Sequence, residues 1–388
     1  MKCEACAAQQ KGLSLVEIMI TLAISSLLIT GMVQVFSQSK ASYQLQEGLG
    51  RMQENARFAL DFLARDIRQA GYIGCKQDID TLENRVLNTP GSFNPLSGIQ
   101  GWEFTGGTGT ATGSNYALNA NEAKAIATHG NNLGWQGWMT ASGEDALDSR
   151  PKAISGSDIM RIWYTMPESA RILSFDNAPD WDTPTLITVH DNNAINPGDI
   201  VLLSDCQSAS LMQVCSIEKA GVHSRLFIAY QGRHCSLGNR PGALPVTLAS
   251  NAEITPITSR TYFIGKKSHP AGNSPSLYYA NLNASKNDAS TGRAEELIEG
   301  VENMQILYGE DTDNDKQVNI YHPANQVSNW RRVIALKIGL LMHTVREVDT
   351  QTHGGSYNVN GTNISIPIED RRPRKVFNMT ILLRNRSS

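Results

Sequence analysis

The chain lacks the fingerprints of an enzyme. Its 388 residues contain no Gly-x-Ser-x-Gly elbow and no His-Glu-x-x-His pair, and the eight histidines are scattered. Gly265-Lys266-Lys267-Ser268 lacks the earlier glycine of a phosphate loop. Charge is also sparse, at 18% Asp, Glu, Lys and Arg with a formal net charge of −3, so nothing global argues for a nucleic-acid partner. Long apolar runs are missing everywhere but at one place, which excludes a polytopic membrane protein. With 40% hydrophobic residues the chain still has enough apolar surface to fold a substantial core in one or two domains.

The exception lies near the amino terminus. Lys11-Gly12-Leu13-Ser14-Leu15-Val16-Glu17 leads into an apolar stretch that reaches Phe36, and from Leu13 to Ser39 the only ionisable side chain is Glu17. About 20 apolar residues span a bilayer as helix, yet a carboxylate inside such a segment costs roughly 2.5 to 3.5 kcal/mol on insertion scales. Such a residue points to function. A secretory signal peptide would end in a small-residue cleavage site, but Gln34 to Lys40 offer none and the helical pattern runs on into Leu45.

A short leader ending in Lys11-Gly12, an apolar segment starting at Leu13, and Glu17 at the fifth place of that segment resemble the type IV prepilins. The resemblance implies that prepilin peptidase cuts between Gly12 and Leu13 and methylates the new amino terminus. It also implies that Glu17 neutralises the terminal amine of a neighbouring subunit. Two charges that are each costly in lipid become a compensated pair when subunits stack. The family usually has Phe where this chain has Leu13.

The expected divisions are a leader over 1–12, a membrane-spanning and filament-core helix over 13–39, an amphipathic second half over 40–71, and a β-rich head over 72–388. In the second half Leu49, Met52, Ala56, Ala59, Leu63 and Ile67 recur at spacings of three and four, marking one buried stripe. Gly71 is a natural C-terminal cap, and Gly31, Gly48 and Gly50 are places where the long helix is expected to bend or melt. Segment 87–150 is rich in Gly, Ser and Thr, interrupted by Trp102, Trp135 and Trp138, and reads as a loop-rich insertion.

The remainder reads as strands. Ile159 to Tyr164 is rich in β-branched and aromatic residues, and Asn196-Pro197-Gly198-Asp199 is a turn feeding Ile200 to Leu203. Ile334, Leu336, Ile338, Leu340 and Met342 alternate with their neighbours, as do Phe377, Met379, Ile381 and Leu383. Period two implies sheets with one face buried, here against the amphipathic helix, which makes the fold class α+β.

Four cysteines, Cys75, Cys206, Cys215 and Cys235, lie in the body and suggest two disulfides in an exported domain, while Cys3 and Cys6 lie in the leader. Four cysteines permit three pairings. A hairpin built on Ile200 to Leu203 and Leu211 to Ile217 favours Cys206 with Cys215, leaving Cys75 with Cys235. Asp311, Asp313 and Asp315 match positions one, three and five of a Ca2+ loop, with the Gln317 carbonyl and Asn319 as later candidates. Lys316 replaces the turn glycine and His322 the bidentate Glu, so a solvated acidic turn fits equally. Arg371-Arg372-Pro373-Arg374-Lys375 follows Glu369-Asp370 and reads as a charged strand edge ahead of a nucleic-acid contact.

Glu47-Gly48-Leu49, Gln53 to Ala59, Asp66 to Tyr72, Leu297 to Glu302, Trp330 to Leu341 and Arg371 to Arg386 resemble the PilW group of minor pilins. That resemblance implies a non-catalytic subunit that primes a type IV pilus and sits near its tip, in the inner membrane with its head in the periplasm before assembly and extracellular afterwards. The partners it implies are minor pilins of the PilV, PilX and FimU classes, a PilY-type tip protein, the major pilin, prepilin peptidase and the inner-membrane assembly platform. A type II secretion pseudopilin resembling GspJ is the alternative built on the same helix, and an adhesin tethered by a pilin-like helix is the third.

Overall fold

The computed structural model describes residues 14–74, 82–87, 95–103, 152–154, 156–176, 185–190, 194–205, 208–229, 235, 237–240, 252–266, 274–283, 294–349 and 351–385. One helix, α1, runs unbroken from Leu15 to Gln69, about 83 Å at 1.5 Å per residue. The helix does not melt at the expected places, since α1 remains helical through Gly31, Gly48 and Gly50. Each glycine costs only about 1 kcal/mol relative to Ala, and the strong helix formers Glu47, Leu49 and Arg51 flank Gly48 and Gly50. Gly48 has a packing reason: a Cβ there would stand 3.2 Å from a Val348 methyl. The helix ends where expected, with Gly71 at φ +72° and its amide donating to the Trp163 carbonyl at 2.8 Å.

The expected stripe is the one that is buried. Met52, Ala56, Ala59, Leu63 and Ile67 are in the core together with Leu60 and Ala64, and Leu49 packs against it. They meet a four-stranded antiparallel sheet in the spatial order Ile320–His322, Val301–Glu310, Val333–His343, Arg374–Leu382. From this sheet Met304, Ile306, Leu336, Ile338, Leu340, Met342 and Ile381 join the helix residues in one cluster, as alternation requires.

One expectation is corrected. Every residue of Val333–His343 except Lys337 is buried, so this central strand is covered on both faces. A hairpin of Gly355–Val359 with Thr362–Ile366 covers the side away from the helix, placing Val359 and Ile366 on Leu341. Gly339 admits it, since a Cβ there would stand 2.6 Å from a Val359 methyl. Asn360, in the hairpin turn, donates to the carbonyls of Gln305 and Lys337 at 2.9 and 3.1 Å.

A larger sheet of 13 strands is organised on the 14-residue strand Glu253–Lys266, which pairs with Ile159–Thr165, Ser276–Asn283, Ala170–Asp176 and Ile200–Ser204. Met160, Ile162, Tyr262, Ile264 and Leu277 from this sheet close over the other side of the helix stripe. A second core, including Ile187, Val189, Leu203, Met212, Leu226 and Ile254, fills a lobe farther from the helix. The insertion between Glu103 and Lys152, with Trp135 and Trp138, lies outside the described residues.

Candidate functional site: the amino-terminal helix and its seat

Among the described residues nothing covers the first half of α1. Leu15, Met19, Leu22, Leu27, Leu28, Met32, Val33 and Phe36 are all exposed, and the segment is long and apolar enough to cross a membrane. Its polar side chains are turned onto the helix backbone: the hydroxyls of Thr21, Ser26 and Thr30 donate to carbonyls three or four residues earlier at 2.7–2.9 Å. Glu17 stands as the one charged group on this apolar segment. Lys11, Gly12 and Leu13 lie outside the described residues.

The second half is held by more than apolar contact. Asp66, on the buried side of α1, accepts hydrogen bonds from the Arg260 guanidinium and the Tyr262 hydroxyl. Arg260 also donates to Asn281 at 2.8 Å and lies 4.7 Å above the Tyr279 ring, while Phe62 of α1 stacks on Tyr279. Burial, followed by the charge of Asp66, pushes the Tyr262 hydroxyl well above its ordinary value, so it stays a donor. Nothing in the spacing of apolar residues singles out Asp66; a carboxylate beside Ile67 on the buried stripe was the available signal. At the helix end Asn385 reaches the Arg68 and Ala70 carbonyls at 3.4 and 3.3 Å.

A groove of about 610 Å3 opens between α1 and the loop after Val333–His343. Glu47, Arg51 and Asn55 line one wall, Thr344 and Arg346 the other.

The acidic loop does bring its carboxylates together: one ligand oxygen from each of Asp311, Asp313 and Asp315 lies within 4.8 Å of the others. Asn314 and Lys316 at φ +64° and +65° wrap the loop around Asp311, whose oxygens accept the amides of Asn314 and Lys316 at 2.7 and 2.9 Å. Asn319 is spent on the Thr312 amide at 2.6 Å, and His322 is paired in the sheet opposite Tyr308. Arg332 donates to the Thr312 carbonyl at 2.7 Å, placing a cation at the loop's edge.

The disulfide pairing departs from expectation. Cys215 is bonded to Cys235 with Cα atoms 4.5 Å apart, which excludes Cys206 with Cys215 and Cys75 with Cys235. The expected hairpin forms, but its register sets Ser204 opposite Ala209 and Ile200 opposite Gln213. Residue 215 therefore lies at the open end, a strand length from the connection that contains Cys206. Cys75 and Cys206 lie outside the described residues.

Two cations of the basic cluster, Arg372 and Arg374, are committed to ion pairs. Arg374, with its side chain fully buried, binds Glu302 at 2.6 Å and Asp370 at 2.9 Å, and Arg372 binds Asp370 at 2.6 Å. These bonds take two of the cluster's cations away from any phosphate contact, and Arg374 opens the edge strand.

A long helix, apolar and exposed in its first half and seated on antiparallel sheet in its second, is the architecture that the prepilin resemblance implies. Residues 8–33, which include Lys11, Gly12, Leu13 and Glu17, match the prokaryotic N-terminal methylation motif, and residues 261–385, which build most of the helix's seat, match the family described as type IV pilus-assembly protein W. The two matches support a PilW-like type IV pilin. No curated protein and no solved structure matches it.

Proposed function

We propose that this chain is a minor pilin of a type IV pilus, a non-catalytic subunit that primes assembly and sits near the tip. The observation that carries this reading is the single unbroken α1, which joins an exposed apolar half to a half packed into the head. In this reading prepilin peptidase cuts between Gly12 and Leu13, and Glu17 compensates the terminal amine of the neighbouring subunit. The head waits in the periplasm on the inner membrane, then leaves with the filament. Its partners are the PilV, PilX and FimU classes, a PilY-type tip protein, the major pilin and the assembly platform.

Terminal sequencing of filament-associated protein tests the processing step, and a mature terminus elsewhere than Leu13 defeats it. Glu17→Ala is expected to leave processing and insertion intact and to reduce piliation, because it removes the amine's partner while making the helix more apolar. Wild-type piliation in that variant refutes the pairing. Cross-linking from residues of the groove, such as Asn55, identifies the neighbours, and capture of secretion components in place of pilins moves the chain to the pseudopilin class.

A further inference from the structure

Outside the helix and its seat, two imidazoles stand side by side. His190, the last residue of Thr185–His190, is directly opposite His223, the first residue of His223–Ile228, on antiparallel strands. Their ring centroids are 5.5 Å apart, and the His223 Nδ1 atom is buried with no hydrogen-bond partner among the described residues. The backbone holds His223 firmly, since it follows the two-residue turn Gly221-Val222, with Gly221 at φ +66°. On the neighbouring strand the residue beside His223 is Ala220, exposed and too short to cover the pair.

The separation has a chemical meaning. A zinc-class ion binds imidazole nitrogen at about 2.0–2.1 Å, which puts it about 3.2 Å from the ring centroid. Two rings sharing one tetrahedral ion then have centroids about 5.2 Å apart, close to the observed 5.5 Å. We propose that His190 and His223 form a two-imidazole site for a borderline divalent transition ion, Zn2+, Ni2+ or Cu2+, with water in the remaining positions. Neutral imidazole favours these ions over Ca2+ and Mg2+, which prefer oxygen. A bound ion would satisfy the orphaned Nδ1 and clip the two strands together at the end of the outer lobe.

The test is a zinc titration by calorimetry on the full chain in detergent micelles. It uses a Cys3→Ser, Cys6→Ser background and excess calcium, which occupies carboxylates. His190→Gln and His223→Gln are each expected to weaken zinc binding at least tenfold and to abolish the zinc-dependent rise in melting temperature. Both should melt as wild type in chelator, because the pair lies on the outer face of the ribbon. The control His322→Gln should bind as wild type. Absence of zinc binding by wild type at millimolar metal, undiminished binding by both variants, or an equal loss in the control overturns the proposal.

Discussion

Replacing Asp66 with Ala isolates the polar lock between helix and head. The change leaves the Arg260 guanidinium without its counter-ion and the Tyr262 hydroxyl without its acceptor. Breaking a buried pair by removing one partner costs about 3–5 kcal/mol. The Arg260 side chain keeps 19% exposure, and it retains Asn281 and the Tyr279 ring, so the low end of that range, about 3 kcal/mol, is the expected loss. That is more than a hundredfold in the folded-to-unfolded ratio, since about 1.4 kcal/mol is tenfold. Asp66→Asn keeps an acceptor for Tyr262 and should lose about half as much. Urea unfolding of the full chain in micelles, followed by tryptophan fluorescence, measures both. The decisive variant is Asp66→Ala with Arg260→Met: removing both charges should restore a large part of the loss, because the cost arises from the orphaned cation. If the single Ala variant loses under about 0.5 kcal/mol, or if the two single losses simply add, the lock is not a coupled unit and the reasoning fails.

Three further outcomes are expected. Non-reducing peptide mapping should recover Cys215 joined to Cys235, and Cys215→Ala should destabilise the lobe by about 3 kcal/mol for a loop of this length in the chain-entropy model; a Cys206–Cys215 peptide contradicts the register argument. If Asp311, Asp313 and Asp315 hold calcium, wild type melts higher in millimolar calcium than in chelator and Asp313→Ala loses that difference; identical melting leaves a turn satisfied by its own amides. Stability should fall on the acid side in two steps. Burial, aided by Arg372 and Arg374, holds His343 below its ordinary 6.5, so its contribution is complete above pH 6.5 and is lost as pH falls below it, whereas Asp370, held down by Arg372 and Arg374, gives way only below the usual carboxylate range. His343→Gln should flatten the upper step in a pH series of melting temperatures; an unchanged profile assigns that step elsewhere.

Local pattern carried much of this fold. Three-and-four spacing marked the buried side of α1, and alternation marked Val333–His343 and Arg374–Leu382, because each element meets a neighbouring layer through a repeating face. What pattern could not carry was set by remote segments. Gly339 and Leu341 read as an outer face, but the hairpin at 355–366 covers them. Asp66 reads as a surface charge until Arg260, 194 residues away, is brought beside it. The disulfide follows the same rule, since hairpin spacing limits which cysteines can meet but the partner of Cys215 comes from a later loop. The residues proposed for processing and assembly, by contrast, lie in one contiguous run from Lys11 to Glu17, so that motif can be read without the fold.

The meeting of Asn385 with the end of α1 gives the head a particular mechanics. The chain leaves the helix at Gly71, tied to Trp163, and returns at Asn385 to the carbonyls of the same last turn. A pull along the rod is therefore shared between the first and last connections of the head at one point. From there it passes to Ile159–Thr165 and Arg374–Leu382 across their full ladders. The outer lobe with its disulfide hangs beside this path as a side branch. Tension in a filament would reach it last, which leaves that lobe free to change length and surface without lengthening the route that carries the load.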